Sequence, residues 1–324
     1  MSRTYKAVTD DPGTGRYELL IERCRGLEPL ATAVAYPCEE TALASVLEAA
    51  ELGLITPILV GPAKKIAEVA RKARLPRNST RFVEAPDSHA AAAKAVELVR
   101  TGEAELLMKG SLHSDEILGA VVAKETGLRT GRRLSHVFLM DVPSYHKVLI
   151  ITDGAINIAP SLEDKADICQ NAIDLARSFG VERPKVAILA AVETVTSKMP
   201  ATIDAAALCK MAERGQITGG VLDGPLAFDN AISRDAAKIK GLVSEVAGDP
   251  DILLAPDLEA GNMIAKQLSF LANADSAGLV LGARVPIILT SRADSARARI
   301  ASCAVAALAA HARRAPAALA GIGV

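Results

Sequence analysis

The 324-residue sequence contains no tryptophan, and aromatic residues make up only 3% of it. A protein that holds nucleic acid by stacking bases on rings needs more of them. Positive charge is not in excess either: 37 Lys and Arg stand against 38 Asp and Glu, for a net charge of −1. Duplex DNA and anionic membrane surfaces are bound through such an excess, so no nucleic acid and no membrane is expected as partner. No apolar run reaches the roughly 18 residues of a membrane-spanning helix. The opening MSRTYKAVTDDPGTGRYE has no hydrophobic segment of the kind a signal peptide carries. There is no CxxC pair. The five cysteines (Cys24, Cys38, Cys169, Cys209 and Cys303) are odd in number and widely spaced, which reads as reduced thiols in the cytoplasm, not as disulfides or a zinc site. No GxGxxG follows a strand, no GxxxxGKS or GxxxxGKT occurs, and no DxD-type carboxylate cluster appears. Nucleotide-fold fingerprints are therefore lacking and no metal is expected.

What the chain does have is 50% apolar and 23% charged residues, the balance of a packed globular protein. At about 100–200 residues per domain, its length suggests two domains. Short apolar runs alternate with Ala-rich amphipathic stretches. The runs are TAVAYP (32–37), TPILVG (56–61), TRFVEAP (80–86), ELLMKG (105–110), LSHVFLMDVP (134–143), KVLIITDGAI (147–156), KVAILAAV (185–192), TGGVLDGPL (218–226), DILLAPDL (251–258) and LVLGARVPIILTS (279–291). Helical segments lie at 38–54, 115–127, 163–180 and 260–274, and the Ala-rich tail at 304–320 reads as a helix ending near Pro316. Strands this apolar belong in a sheet covered by helices on both faces, and the alternation implies parallel pairing with right-handed crossovers. Gly180 and Gly215 stand where left-handed helix C-caps are wanted. About ten strands favour two sheets over one. The break is placed at DVPSYHK (141–147), and composition alone leaves open whether the last strand and helix (285–314) return to the first domain. With that return, which the family resemblance given below implies, the expected first domain is 1–143 plus 288–324 and the second 144–287.

In such folds ligands lie beyond the carboxyl ends of strands, beside helix N-termini. Lys109-Gly110-Ser111-Leu112-His113-Ser114 follows an apolar run and precedes a helix. Gly110 permits close approach, the serines offer hydroxyls, and helix-end N–H groups suit an anion such as phosphate. The bland alternative is a β–α turn with Ser114 as N-cap. His113 is a candidate base or donor. A second segment, 127–136, packs Arg129, Arg132 and Arg133 with Thr130 between two glycines; arginine grips phosphate through a planar fork, although a solvated basic loop explains a short charge run equally well. The third is Thr290-Ser291-Arg292-Ala293-Asp294-Ser295, where Ser291 and Asp294 fit a capping-box-like helix start and Ser291 and Arg292 project at a strand's end. Thr152-Asp153-Gly154 with Asn157, Asp223-Gly224-Pro225 with Asp229, and Pro256-Asp257 with Gly261-Asn262 are weaker candidates, all compatible with turn chemistry.

Five long segments carry a resemblance: LMKGSLHSDEIL (107–118), GLRTGRRLSHVFLMDVP (127–143), ITDGAINIAPSLEDKADICQNAIDLA (151–176), 196–233 and 247–296. Together they resemble the phosphate acetyltransferase / phosphate butyryltransferase family. The resemblance implies reversible acyl transfer between coenzyme A and inorganic phosphate. It also implies two α/β/α sandwich domains around a cleft, like isocitrate and isopropylmalate dehydrogenases, and a homodimer. Coenzyme A and phosphate enter as substrates, with no cofactor. The family's Ser-Arg pair matches Ser291-Arg292, its Lys-Gly turn matches Lys109-Gly110, and Ser114 takes the hydroxyl position of that loop. An arginine common in that loop's helix is Gly119 here. The catalytic aspartate that acetyltransferase members carry seven residues after the serine is Ala298 here, so the base falls to Asp294 and then His113. Ser111, Arg129, Thr130, Arg133, Asp257 and Asn262 complete the expected substrate-binding set. Acetyl transfer is the leading expectation. Butyryl transfer, a non-catalytic coenzyme A or acyl phosphate binder, and a metal- and NAD-dependent hydroxy-acid dehydrogenase are the alternatives.

Overall fold

The computed structural model describes residues 15–74, 80–291 and 294–314. In chain order these form α1 (Arg16–Cys24), β1 (Leu30–Ala35), α2 (Glu40–Glu51), β2 (Ile55–Gly61), α3 (Ala63–Lys72), β3 (Arg81–Glu84), α4 (Ser88–Arg100), β4 (Leu106–Lys109) and α5 (Ser114–Val122). There follow β5 (Ser135–Asp141), β6 (Leu149–Thr152), α6 (Leu162–Ser178), β7 (Lys185–Leu189), α7 (Pro200–Glu213), β8 (Val221–Leu226), α8 (Phe228–Ile232), α9 (Arg234–Ile239), β9 (Ile252–Leu254) and α10 (Leu258–Leu271). The chain closes with β10 (Asp275–Leu281), β11 (Ile287–Ile288) and α11 (Ala296–Arg314).

Two compact units result. The first comprises Gly13–Arg132 with Ala277–Arg314, and the second Arg133–Ser276. The chain thus passes between them at Arg132, ahead of the 143 read from the sequence, and returns at Ala277, ahead of 288. The reason lies in DVPSYHK. It joins β5 to β6 as an antiparallel pair, with Val137 opposite Thr152 and Met140 opposite Leu149, so β5 belongs with the strands after it. A parallel pair would need a crossover of about a dozen residues.

Within the first unit the strand order is β3-β2-β1-β4-β11-β10. All neighbours are parallel except β10 and β11. LVLGARVPIILTS, read as one strand, breaks at 282–286 into this antiparallel pair, with Leu279 opposite Ile288. β1 and β4 are buried almost throughout, as strands covered on both faces should be. α11 starts eight residues before the expected 304 and is buried along nearly its whole length, its alanines letting it pack closely into the core. It packs against α1, α2, β4 and β11.

The second unit orders its strands β5-β6-β9-β7-β8, parallel apart from β5 with β6. Met140, Leu149, Ile151, Leu189, Leu226 and Leu253 form its core. Gly180 and Gly215 follow α6 and α7 at φ +89° and +74°, the left-handed conformation that glycine adopts without steric cost. No described helix is long and apolar enough to cross a membrane.

Candidate active site

In the first unit, parallel pairing of β4 with β11 (Leu107 with Ile287, Met108 with Ile288) brings Lys109–Ser111 and Ser291 to the same end of the sheet. Lys109 is 3% exposed, and its Nζ donates to the Leu112 carbonyl at 3.2 Å. That contact folds the ammonium back over the turn. A Cβ at Gly110 would lie closer than 3.0 Å to main-chain atoms of Ala35, Tyr36 and Pro37. The amides of Gly110 and Ser111 donate to the Ala35 and Tyr36 carbonyls, each at 2.9 Å. The glycine therefore answers to a neighbouring loop, with no room left over it. Ser111 is buried.

His113, not Ser114, is the N-cap of α5, one residue earlier than expected. Its amide donates to Glu116 Oε2 at 2.8 Å. Glu116 also accepts from Ser88 Oγ at 2.5 Å and lies 2.9 Å from His89 Nδ1. The Ser88 hydrogen bond and the His113 amide hold its carboxyl below the ordinary value despite burial.

Ser291 is exposed at the end of β11. Its amide donates to Asp294 Oδ2 at 2.6 Å, and its carbonyl accepts the Asp294 amide at 3.2 Å. This closes a tight turn before the helix. The cap of α11 itself is Ser295, whose Oγ accepts the Ala298 amide at 3.1 Å, so Ser291 and Asp294 form the approach to the helix and not its first turn. Arg292 lies outside the described residues.

Arg129 and Thr130 are placed elsewhere. Arg129 bridges Ala283, and Thr130 Oγ1 donates to the Gly282 carbonyl at 2.6 Å. Residues 282–283 follow β10 and precede β11, at the amino end of β11. Strand direction thus separates Arg129 and Thr130 from Lys109 and Ser291, instead of gathering all four at one tip.

In the second unit, the amino end of β5 meets the carboxyl ends of β6 and β9. Asp153 is 3% exposed and accepts from the amides of His136, Ala155 and Ile156 and from Asn157 Nδ2 at 2.6 Å. Asn157 Oδ1 then accepts Arg133 Nε at 2.7 Å, with Asp164 3.5 Å away. Arg133 is aimed by this buried chain. Asp257 caps α10, accepting the Ala260 amide at 2.8 Å, and Asn262 Nδ2 donates to the Gly154 carbonyl at 2.9 Å. Asn262 thereby ties α10 to the turn that follows Asp153.

Of the weaker candidates, Asp223 accepts its neighbour's amide at 2.8 Å and Asp229 pairs with Lys240 at 3.0 Å. Sequence reading passed over Glu193 and Lys240, which pair at 3.2 Å, and Arg299, whose Nη2 donates to the Ser291 carbonyl at 2.9 Å. Among the described residues no group of three or more His, Cys, Asp or Glu side chains is placed to hold a metal ion. Burial pushes the thiol of Cys38 up to about 11 and those of Cys24, Cys209 and Cys303 up to about 12.

Comparison with known proteins adds three findings. A family profile described as phosphate acetyl/butaryl transferase matches residues 87–307. A phosphate acetyltransferase of Rhizobium meliloti is 65% identical over 300 residues, 93% of this chain and 95% of its own; a phosphate butyryltransferase of Clostridium acetobutylicum is 43% identical over 89% and 96%. The crystal structure of a branched-chain phosphotransacylase from Enterococcus faecalis superposes with a TM-score of 0.77 at 29% identity, covering 87% of this chain and 99% of that one.

Proposed function

The chain belongs to the phosphate acetyl/butyryl transferase family, and from that premise we propose that it is a phosphate acetyltransferase. It is an acyltransferase that moves an acetyl group reversibly between coenzyme A and inorganic phosphate. One observation carries acetyl over butyryl: identity of 65% to an acetyltransferase against 43% to a butyryltransferase, each over most of both chains. One methylene is worth only about 1–3 kcal/mol in a pocket, so rates with acetyl-CoA and butyryl-CoA are the test. Acetyl-CoA is expected to be the faster substrate, and a tenfold preference for butyryl-CoA overturns the assignment.

The chemistry follows from the groups at the strand ends. Toward acetyl-CoA, the thiol of coenzyme A loses its proton before attacking acetyl phosphate, because the thiolate is the nucleophile. Asp294, held 2.6 Å from the Ser291 amide, is our candidate base, and His113 the second. Ser291 and Arg292 stabilise the oxyanion of the tetrahedral intermediate. Lys109, at the same sheet end as Ser291, supplies positive charge for a phosphate group. Transfer is direct, within a ternary complex. The protein's own thiols support this reading, since burial keeps them protonated at neutral pH. Coenzyme A and phosphate are substrates, and the reaction draws on no further cofactor.

We also infer a cytoplasmic homodimer. Reduced cysteines support the compartment. Exposed apolar side chains on the second unit, Met263, Phe270 and Leu271 of α10 among them, support self-association. Light scattering at micromolar concentration reads the mass, and a monomer would refute it.

A further inference from the structure

Arg299 lies in the first turn of α11 and is 3% exposed. Its Nη1 donates to Thr290 Oγ1 at 3.2 Å, and its Nη2 donates to the Ser291 carbonyl at 2.9 Å. The Nε–H has no acceptor among the described residues. Both partners are neutral, and no described carboxylate forms an ion pair with this guanidinium. Asp294, the acidic group on the same turn, is engaged with the Ser291 amide instead.

This arrangement is unfavourable on two counts. A guanidinium stays charged at any pH a protein survives, and burying a charge without a counterion carries a large desolvation penalty. The charge also sits at the amino end of a 19-residue helix, the positive pole of its macrodipole, where a cation is disfavoured. Two positive features are therefore stacked beneath one exposed turn. Folding alone would favour a methionine or leucine here. Local rules broken without compensation inside the fold point to a ligand that completes them, and the missing element is negative charge.

We propose that Arg299 is a positioning residue. It braces the Ser291 turn through the Thr290 hydroxyl and the Ser291 carbonyl, and it holds that turn at positive potential for the phosphate group of the reactants. The inference rests on the reading that the Ser291 turn handles phosphate. Arg299 touches no substrate in this scheme and acts through the turn.

Calorimetric titration of the full-length protein with inorganic phosphate, beside KM for phosphate and kcat, tests it. Arg299→Met and Arg299→Gln remove the charge, and Arg299→Gln keeps an amide donor for the Ser291 carbonyl should the methionine variant fold poorly. Arg299→Lys keeps the charge and loses the two-pronged brace. The expected result is a phosphate Kd raised at least tenfold in the neutral variants, with KM rising in step, and restored to within threefold of wild type by lysine. A phosphate Kd within twofold of wild type in a folded neutral variant overturns the proposal. So does a lysine variant as weak as the neutral ones, since the positive potential at the turn would then play no part in holding phosphate. If wild type binds phosphate with this dependence yet makes no acetyl phosphate from acetyl-CoA, the acyltransferase reading fails while Arg299 keeps its role. If wild type turns over and every variant binds alike, the reverse holds.

Discussion

Ser291 owes its presentation to the main chain around it. The amide is tied to Asp294 at 2.6 Å and the carbonyl to Arg299 at 2.9 Å, so the side chain is carried on a turn held from both sides. Ser291→Ala is expected to cut kcat by about 10²–10³, the usual cost of one oxyanion donor, with the thermal midpoint unchanged because the residue is exposed. Wild-type turnover in that variant would remove Ser291 from the site. At this scale the sequence was a partial guide. Ser291 and Asp294 stand out because a hydroxyl and a carboxylate three residues apart end an apolar run. Helix caps were displaced by one residue to His113 in one case and by four to Ser295 in the other, because several polar residues precede each helix and the pattern does not single out which one ends at its first turn. Arg299 gave no signal at all. An arginine amid alanines reads as a solvated helix face, and only the packing of α11 shows it to be buried.

Elements carry the next level of constraint. Gly110 is fixed by the loop after β1, so Gly110→Ala is expected to lower the thermal midpoint by several degrees and weaken activity with it. Main chain, unlike a flexible side chain, cannot step aside for the new Cβ. Thermal unfolding monitored by circular dichroism reads it; an unchanged midpoint would show the loop can shift. A second constraint lies at the amino ends of β6, β7 and β9. There Asp249 meets Lys185 at 2.6 Å, His146 at 2.7 Å, Arg234 at 3.1 Å and Lys147 at 3.2 Å. Burial alone would raise its pKa, but the hydrogen bonds from Lys185, His146 and Lys147 outweigh that and hold the carboxyl well below the carboxylate range. A folded-state pKa below the unfolded value of about 3.9 means the stabilisation is complete above that pH and fades as pH falls below it. Asp249→Asn should therefore be less stable than wild type at pH 7, with the gap narrowing below about pH 4. A gap independent of pH would assign the loss to packing. Strand positions were legible to within a few residues, because apolar runs bounded by Gly, Pro and Asp leave little choice. Pairing direction was not: β10 and β11 turn back on each other inside what reads as one apolar run, and the β5–β6 pair depends on the connection DVPSYHK, which reads equally well as a break between domains.

For the whole molecule, thiol chemistry gives a simple check. The five cysteines are distributed over both units, and all are free. With burial holding four of them at about 11 to 12 and driving Cys169 higher still, iodoacetamide at pH 8 should leave the native enzyme active and react with all five only in denaturant. Loss of activity after a single modification would reopen a covalent route. The division into units could be read from the sequence only in outline. That the last strand and helix return to the first unit was suggested by family resemblance, and the points of passage at Arg132 and Ala277 follow from strand partners that residue patterns do not name.

That return has a consequence for synthesis. β11 lies between β4 and β10, and α11 packs against α1, α2 and β4. A ribosome translating N- to C-terminus at about 5–20 residues per second therefore leaves the first unit without β11 and its core helix for roughly 7–30 s, while Arg133–Ser276 emerges. During that interval β4 presents an unpaired apolar edge, the kind of surface that invites aggregation. The second unit needs nothing from Ala277 onward to build its core. The part made first is thus the part finished last, and holding chaperones have their natural substrate in the waiting N-terminal segment.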